Sequence, residues 1–325
     1  MKELICKIKR KLRTCFVSKL YENYRIYPLI YRSYWHSLFY SIKNEIDTNN
    51  YLTALINNGA GIGHQLAGWN SGLWWSKYFG MHHAYIGFSN SAWDKFLGLK
   101  GVDPNIKELK KQGYIVRRLP KFDEFKPKEV QLVTNIIKSY THKKVVFVCE
   151  QDQPYLSQIG TMADLQARFY SSESRKEDRL VYDKHNFNIA IHVRRGDIML
   201  DSSNPNLTMR YLSNDYFEKV LSQVVAHVST DKPIHIYFFS QGKPEDYSEF
   251  TKFNNLHWCL DMGAIDSFMQ MVYADLLITS KSSFSYKPAL LNRGIKVCPE
   301  NFWHGYPDSE DWIMVDNDGN VKWNQ

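Results

Sequence analysis

The 325-residue chain carries a formal net charge of +7, with 44% hydrophobic and 15% aromatic residues. That length accommodates two domains with a core each, and no run of eighteen apolar residues exists to span a membrane as a helix. The five cysteines (Cys6, Cys15, Cys149, Cys259 and Cys298) are odd in number, widely spaced and without zinc-ligand spacing, which argues against a disulfide framework and for reduced thiols in a cytoplasmic setting.

The charge is concentrated at the start. Residues 1–32 hold nine basic and two acidic groups, a net +7 that equals the charge of the whole chain. Between them Ile5, Ile8, Leu12, Phe16 and Leu20 recur at the spacing of one helical face. A basic amphipathic helix reads as an element for an anionic membrane surface, so the protein is expected to sit peripherally on the cytosolic membrane face. The bland alternative is an ordinary helix with a solvated basic face. It is not a signal peptide, because no apolar core or small-residue cleavage site follows. No nucleic-acid module accompanies the charge, so nucleic acid is not an expected partner.

The apolar run Leu52–Ile56 leads into Asn57-Asn58-Gly59-Ala60-Gly61-Ile62-Gly63-His64-Gln65-Leu66. A glycine-rich turn between a strand and a helix lets the backbone approach a ligand closely and aims amides at it. A dinucleotide fingerprint fits poorly: His64 occupies the third glycine position, and the first acid downstream is Asp94. Beyond it, 69–79 reads as a helix, 85–88 as a strand and 143–149 as another strand. Residues 160–187 read as a polar linker or surface helix. We expect an N-terminal segment at 1–45, a first domain at 46–175 and a second at 176–325.

The strand of the second domain, Asn188-Ile189-Ala190-Ile191-His192-Val193, ends in Arg194-Arg195-Gly196-Asp197. Ile189, Ile191 and Val193 alternate with Ala190, His192 and Arg194, so His192 and Arg194 share one face while Arg195 faces the other way. A guanidinium at such a strand end can take phosphate oxygens bidentately; the bland reading is a solvated arginine pair. The embedded Arg-Gly-Asp recurs too often by chance to indicate cell adhesion. A helix is expected at 215–228, with strands at 233–240 and 256–260.

Asp266 then opens an amphipathic stretch, 276–279 reads as a buried strand, and Lys281-Ser282-Ser283-Phe284-Ser285 leads to a helix at 286–292. Serines at a helix start suit either plain capping or an anion. Another strand is expected at 294–299. Asp316-Asn317-Asp318-Gly319-Asn320 reads as a hairpin turn, since the distal Glu of a calcium loop is absent. Alternating strands and helices imply parallel βαβ units.

The string His192-Val193-Arg194-Arg195-Gly196-Asp197 resembles the nucleotide-sugar motif of the α1,2-, α1,6- and protein O-fucosyltransferases. The turn at 59–65 is similar to their Gly-x-Gly-x-x-Gln pattern. The block 266–285 resembles the carboxyl-terminal motif of the α1,2 group, and Asn301-Phe302-Trp303 sits where that group has an aromatic segment. Three departures stand out: His64 where that group has Asn, Lys281 in place of the Asn before the serines, and Tyr286-Lys287 in place of an aromatic pair. The resemblance implies an α/β GT-B fold, two Rossmann-like domains with parallel sheets facing across a cleft.

It also implies an inverting transfer of fucose from GDP-fucose to a glycan hydroxyl. Gly61, Gly63, His64, Gln65, His192, Arg194, Arg195, Asp266, Ser282, Ser283 and Phe284 would bind substrate. Arg194 is assigned to the β-phosphate, His192 and Asp266 to the base or ribose, and Asp201 and His64 are equal guesses for the general base. The only Asp-x-Asp triplet lies in the terminal hairpin, so no metal is expected and the arginines would neutralise the phosphates. Two alternatives stay open: the same fold with another nucleotide sugar, and a non-catalytic nucleotide- or polyanion-binding protein.

Overall fold

The computed structural model describes residues 19–20, 26–40, 45–57, 59–150, 155–199 and 204–323. The predicted basic helix falls largely outside this set, as does Asp201. No helix among the described residues is long and apolar enough to cross a membrane.

The chain forms two compact units that are not continuous in sequence. The first takes residues up to 58, 67–87 and 100–157; the second takes 59–66, 88–99 and everything from 158. The boundary expected after 175 therefore falls at 157, and the glycine-rich turn groups with the second unit. The reason is visible in the expected linker. Residues 162–171 form a helix whose Leu165 and Phe169 are fully buried, and whose Gln166 and Tyr170 donate to the carbonyls of Leu290 and Leu291. Its two charged side chains, Asp164 and Arg168, are half-buried, so this segment packs as part of the unit and not as a linker.

In the first unit, α1 (Arg32–Phe39) precedes β1 (Tyr51–Ala54), α2 (Ile62–Tyr78, of which residues 62–66 group with the second unit), β2 (His82–His83), α3 (Ile106–Lys111), β3 (Ile115–Arg118), α4 (Pro127–Lys138) and β4 (Val145–Cys149). The four strands make an all-parallel sheet in the order β2-β1-β4-β3. β4 is buried along its whole length, as its unbroken apolar run requires in a sheet covered on both faces. Leu52, Trp75, Val133, Ile136 and Phe147 are central to this core. The strand expected at 85–88 does not form. Tyr85 makes only an isolated bridge to Asn105, and the Phe88 amide donates to the Asp94 carboxylate at 3.0 Å. A polar side chain thus turns the backbone off the sheet, which apolar periodicity does not register.

The second unit runs α5 (Met162–Ser171), β5 (Phe187–His192), α6 (Asn214–His227), β6 (Ile234–Ser240), β7 (Leu256–Leu260), α7 (Ala264–Tyr273), β8 (Leu276–Ile278), α8 (Ser283–Leu291), β9 (Ile295–Pro299), β10 (Trp312–Val315) and β11 (Val321–Lys322). The sheet order is β11-β10-β9-β8-β5-β6-β7. Every pairing is parallel except the β10–β11 hairpin. The hairpin turn forms as expected, with the Asp316 carboxylate accepting from the amides of Asp318 and Asn320.

This is doubly wound topology. From β5 the chain winds outward through β6 and β7, then returns to place β8 on the other side of β5 and winds outward again. The two α/β units with parallel sheets are the construction that the GT-B expectation requires. β5 separates two cores by simple alternation. Ile189, Ile191 and Val193 pack with Phe217, Val220 and Leu221 of α6, while Ala190 packs with Met271 of α7 and Ala289 of α8. Deleting a ring such as Phe217, which is 1% exposed, would cost about 3–5 kcal/mol.

Candidate functional site

Winding reverses between β5 and β8, and in such sheets ligands bind beyond the carboxyl ends of the two central strands. β5 delivers His192 and Arg194 there; β8 delivers Ser280 and the turn that opens α8. The two ends are joined directly, because His192 Nδ1 and Ser280 Oγ are 2.8 Å apart and the Phe284 ring lies 5.6 Å from the imidazole. His192 is buried, and that burial, with Arg194 and Arg195 beside it, lowers its pKa to about 3. It is a neutral hydrogen-bonding group, unsuited to act as a cation toward phosphate.

The two arginines part company as alternation predicts. Arg195 is buried on the α6 side. It donates to the Arg194 carbonyl at 2.8 Å and the Asn214 side chain at 2.5 Å, and its guanidinium lies 4.9 Å from the Tyr211 ring. Arg195 thus ties the strand end to α6. Arg194 is half-buried, and its charge acts on His192. Gly196 follows at φ +71°, a left-handed conformation that favours glycine, with the end of the Gln241 side chain lying over it.

The serines also divide. Ser282 is the N-cap of α8 and accepts from the Phe284 amide. Ser285 is fully buried and accepts from the Ser280 amide. Both oxygens serve the turn itself. Ser283, half-buried at the first position of α8, is 2.8 Å from His304 Nε2.

The glycine-rich turn meets this same serine. A β-carbon on Gly63 would lie 2.7–2.8 Å from the backbone and side chain of Ser283, whereas one on Gly61 would meet nothing. His64 is half-buried on the first turn of α2. Gln65 is buried, and its amide is committed to the loops: it donates to the Ala60 carbonyl and Ser89 Oγ and accepts from the Ser89 amide. It acts as a clamp for the turn. Asp266 is exposed on the first turn of α7.

Three residues that sequence reasoning passed over complete the arrangement. Lys287 and His304 are both fully buried, as is Gln158. Lys287 Nζ donates to Gln158 Oε1, Gln158 Nε2 is 2.8 Å from His304 Nδ1, and His304 stacks on Tyr286 at 4.8 Å. Burial pushes the Lys287 pKa well down. It also lowers that of His304 to about 2, with Lys287, His64 and Arg210 adding to the effect. Lys287 was visible only as a departure from a motif, and His304 only as the neighbour of an aromatic pair. Nothing in a local pattern reveals that Gln158 joins them.

No protein-family model matches the chain, and no curated protein matches it by sequence. Among solved structures it is similar to NodZ alpha-1,6-fucosyltransferase soaked with GDP-fucose. That likeness has 13% identity and a TM-score of 0.48, covering 85% of this chain and 98% of that one. It is also similar to POFUT1 in complex with GDP, at 12% identity and a TM-score of 0.45 over 77% and 97% of the two chains. The E. coli heptosyltransferase WaaC with ADP gives 12% identity and a TM-score of 0.31 over 58% and 50%. At these values the site stands on its own residues.

Proposed function

We propose that the chain is a glycosyltransferase that takes a nucleotide-diphosphate sugar, GDP-fucose by its motif, and transfers the sugar with inversion to a glycan hydroxyl. One observation carries the reading. At the winding reversal of a parallel sheet, the half-buried Arg194 follows the strand end close enough to depress the pKa of His192, and His192 is tied to the turn that opens α8. A half-buried guanidinium and the amides of a helix start are what a departing diphosphate needs.

In the transfer, the acceptor oxygen attacks the anomeric carbon as the bond to the β-phosphate oxygen breaks. The hydroxyl proton passes to a general base, for which His64 and Asp201 remain the candidates. The nucleotide leaves with its added negative charge held by Arg194 and Ser283. Ser282 and Phe284 would line that pocket, and His192 and Asp266 would meet the base or ribose. With the arginine neutralising the phosphates, no metal should be required.

Membrane attachment is part of the proposal. Trp35, Leu38 and Phe39 of α1 are 45%, 56% and 79% exposed, just beyond the basic residues 1–32, and together they suit an anionic lipid surface.

The test is ligand-observed NMR with GDP-fucose, GDP-mannose, UDP-galactose, UDP-xylose, a CMP-sugar and a dTDP-sugar, using Arg194→Ala as control. Selective binding of GDP-fucose, lost in the variant, is the expected result. Preference for a UDP, CMP or dTDP donor would retain the transferase and remove the fucose assignment. Binding indifferent to Arg194→Ala but abolished by deleting residues 1–32 would favour a non-catalytic polyanion-binding protein.

A further inference from the structure

The buried chain Lys287–Gln158–His304–Ser283 has a direction. Gln158 Oε1 can only accept, and it takes an N–H from Lys287. That orientation turns the amide NH2 of Gln158 toward His304 Nδ1, 2.8 Å away. Nδ1 must then accept. A neutral imidazole carries one proton, so it resides on Nε2 and is donated to Ser283 Oγ at 2.8 Å. Ser283 Oγ then accepts on that side and keeps its own hydrogen for donation. All four residues belong to the same compact unit. The ring is held in place by Tyr286, stacked at 4.8 Å, and by Phe302, edge-on at 4.8 Å.

We propose that Lys287, Gln158 and His304 are positioning residues that set the His304 tautomer and thereby hold Ser283 as a hydroxyl donor toward the diphosphate of the nucleotide sugar. The inference rests on the functional reading above for the ligand, and on the hydrogen-bond geometry alone for the direction. An anion accepts hydrogen bonds and donates none, so a serine free to point its hydrogen either way would serve it half the time. The relay removes that choice. A buried lysine outside the phosphate contacts is otherwise hard to account for, since it is costly to bury and, among the described residues, donates to Gln158.

Two measurements test this on the full chain. In histidine-15N-labelled protein without ligand, long-range 1H–15N correlation should show His304 protonated at Nε2 and bare at Nδ1. A ring protonated at Nδ1, or a cationic ring at neutral pH, overturns the relay. GDP affinity is then compared among wild type, Ser283→Ala, His304→Phe and the double variant. Each single change should weaken binding roughly tenfold, the worth of one hydrogen bond to a charged group, and the double variant should bind no worse than Ser283→Ala. A purely structural His304 would cost as much without the serine as with it, and that result sinks the proposal. Should His304→Phe fold poorly, His304→Gln keeps an N–H toward Ser283 and should bind more tightly than an alanine variant at that position; equal loss counts against the relay. If wild type binds no nucleotide, or Arg194→Ala binds like wild type, the functional reading fails and the role of Ser283 with it, whatever the tautomer.

Discussion

Gly63 and Ser283 touch backbone to backbone, so closely that a β-carbon on the glycine would lie 2.7 Å from the serine's carbonyl carbon and oxygen. The glycine-rich turn near the start of the chain and the serine-rich turn near its end are thus one structure. Gly63→Ala should force the turns apart and destabilise the protein by about 1–3 kcal/mol, the usual cost of overpacking. Gly61→Ala, with open space around it, should be nearly neutral. Thermal unfolding of the pair separates the two, and equal stability would contradict the contact.

The adjacent arginines should give opposite phenotypes. Arg195→Ala removes the bonds to the Arg194 carbonyl and Asn214 and should cost about 2–3 kcal/mol of stability. Arg194→Ala should cost less stability than Arg195→Ala and weaken GDP binding by about tenfold to a hundredfold, the range for a charge-assisted hydrogen bond. Calorimetric titration beside denaturant curves decides the matter; a reversal of the two phenotypes would refute the assignment.

Two buried histidines make stability depend on acid. Burial depresses His192 to about 3 and His304 to about 2, from an ordinary 6.5. Below pH 6.5 the unfolded chain binds protons that the folded chain refuses, so stability is complete above 6.5 and falls as the pH drops toward 3. The slope approaches about 1.4 kcal/mol per pH unit for each ring. Urea midpoints at pH 7, 6 and 5 should decline accordingly, and His304→Phe should decline less steeply. A flat profile would show that these rings are not held neutral.

Trp35, Leu38 and Phe39 should take part in lipid binding if α1 meets a membrane. Sedimentation with phosphatidylglycerol vesicles is expected, weakening with salt, and Leu38→Asp with Phe39→Asp should reduce it several-fold. Binding to phosphatidylcholine vesicles alone should be negligible. Failure to sediment with anionic vesicles at low salt would remove the membrane from the proposal.

Much of the second unit was legible because its elements are governed by local pattern. Alternation through 189–194 correctly predicted which arginine faces α6, since side chains on a strand point to opposite faces whatever else the chain does. Continuous apolar runs marked β4 and β8, and an Asp-Gly turn marked the final hairpin. Residues 85–88 had the composition of a strand and failed to become one, because the Asp94 carboxylate competes for the Phe88 amide. The stretch 160–187, which reads as a linker or a surface helix, holds a helix at 162–171 that is anchored by Leu165 and Phe169.

The sequence by itself determined the parallel α/β class, the strand that carries His192 and leads to Arg194, and the glycine-rich and serine-rich turns, since each follows from periodicity or backbone permissiveness. Tertiary structure alone decided that the glycine turn belongs with the second unit, that Ser282 and Ser285 serve the turn while Ser283 answers to His304, and that Lys287, Gln158 and His304 form a chain. Those outcomes depend on hydrogen-bond partners brought together from distant positions and on the desolvation of the groups buried with them. No local spacing encodes either.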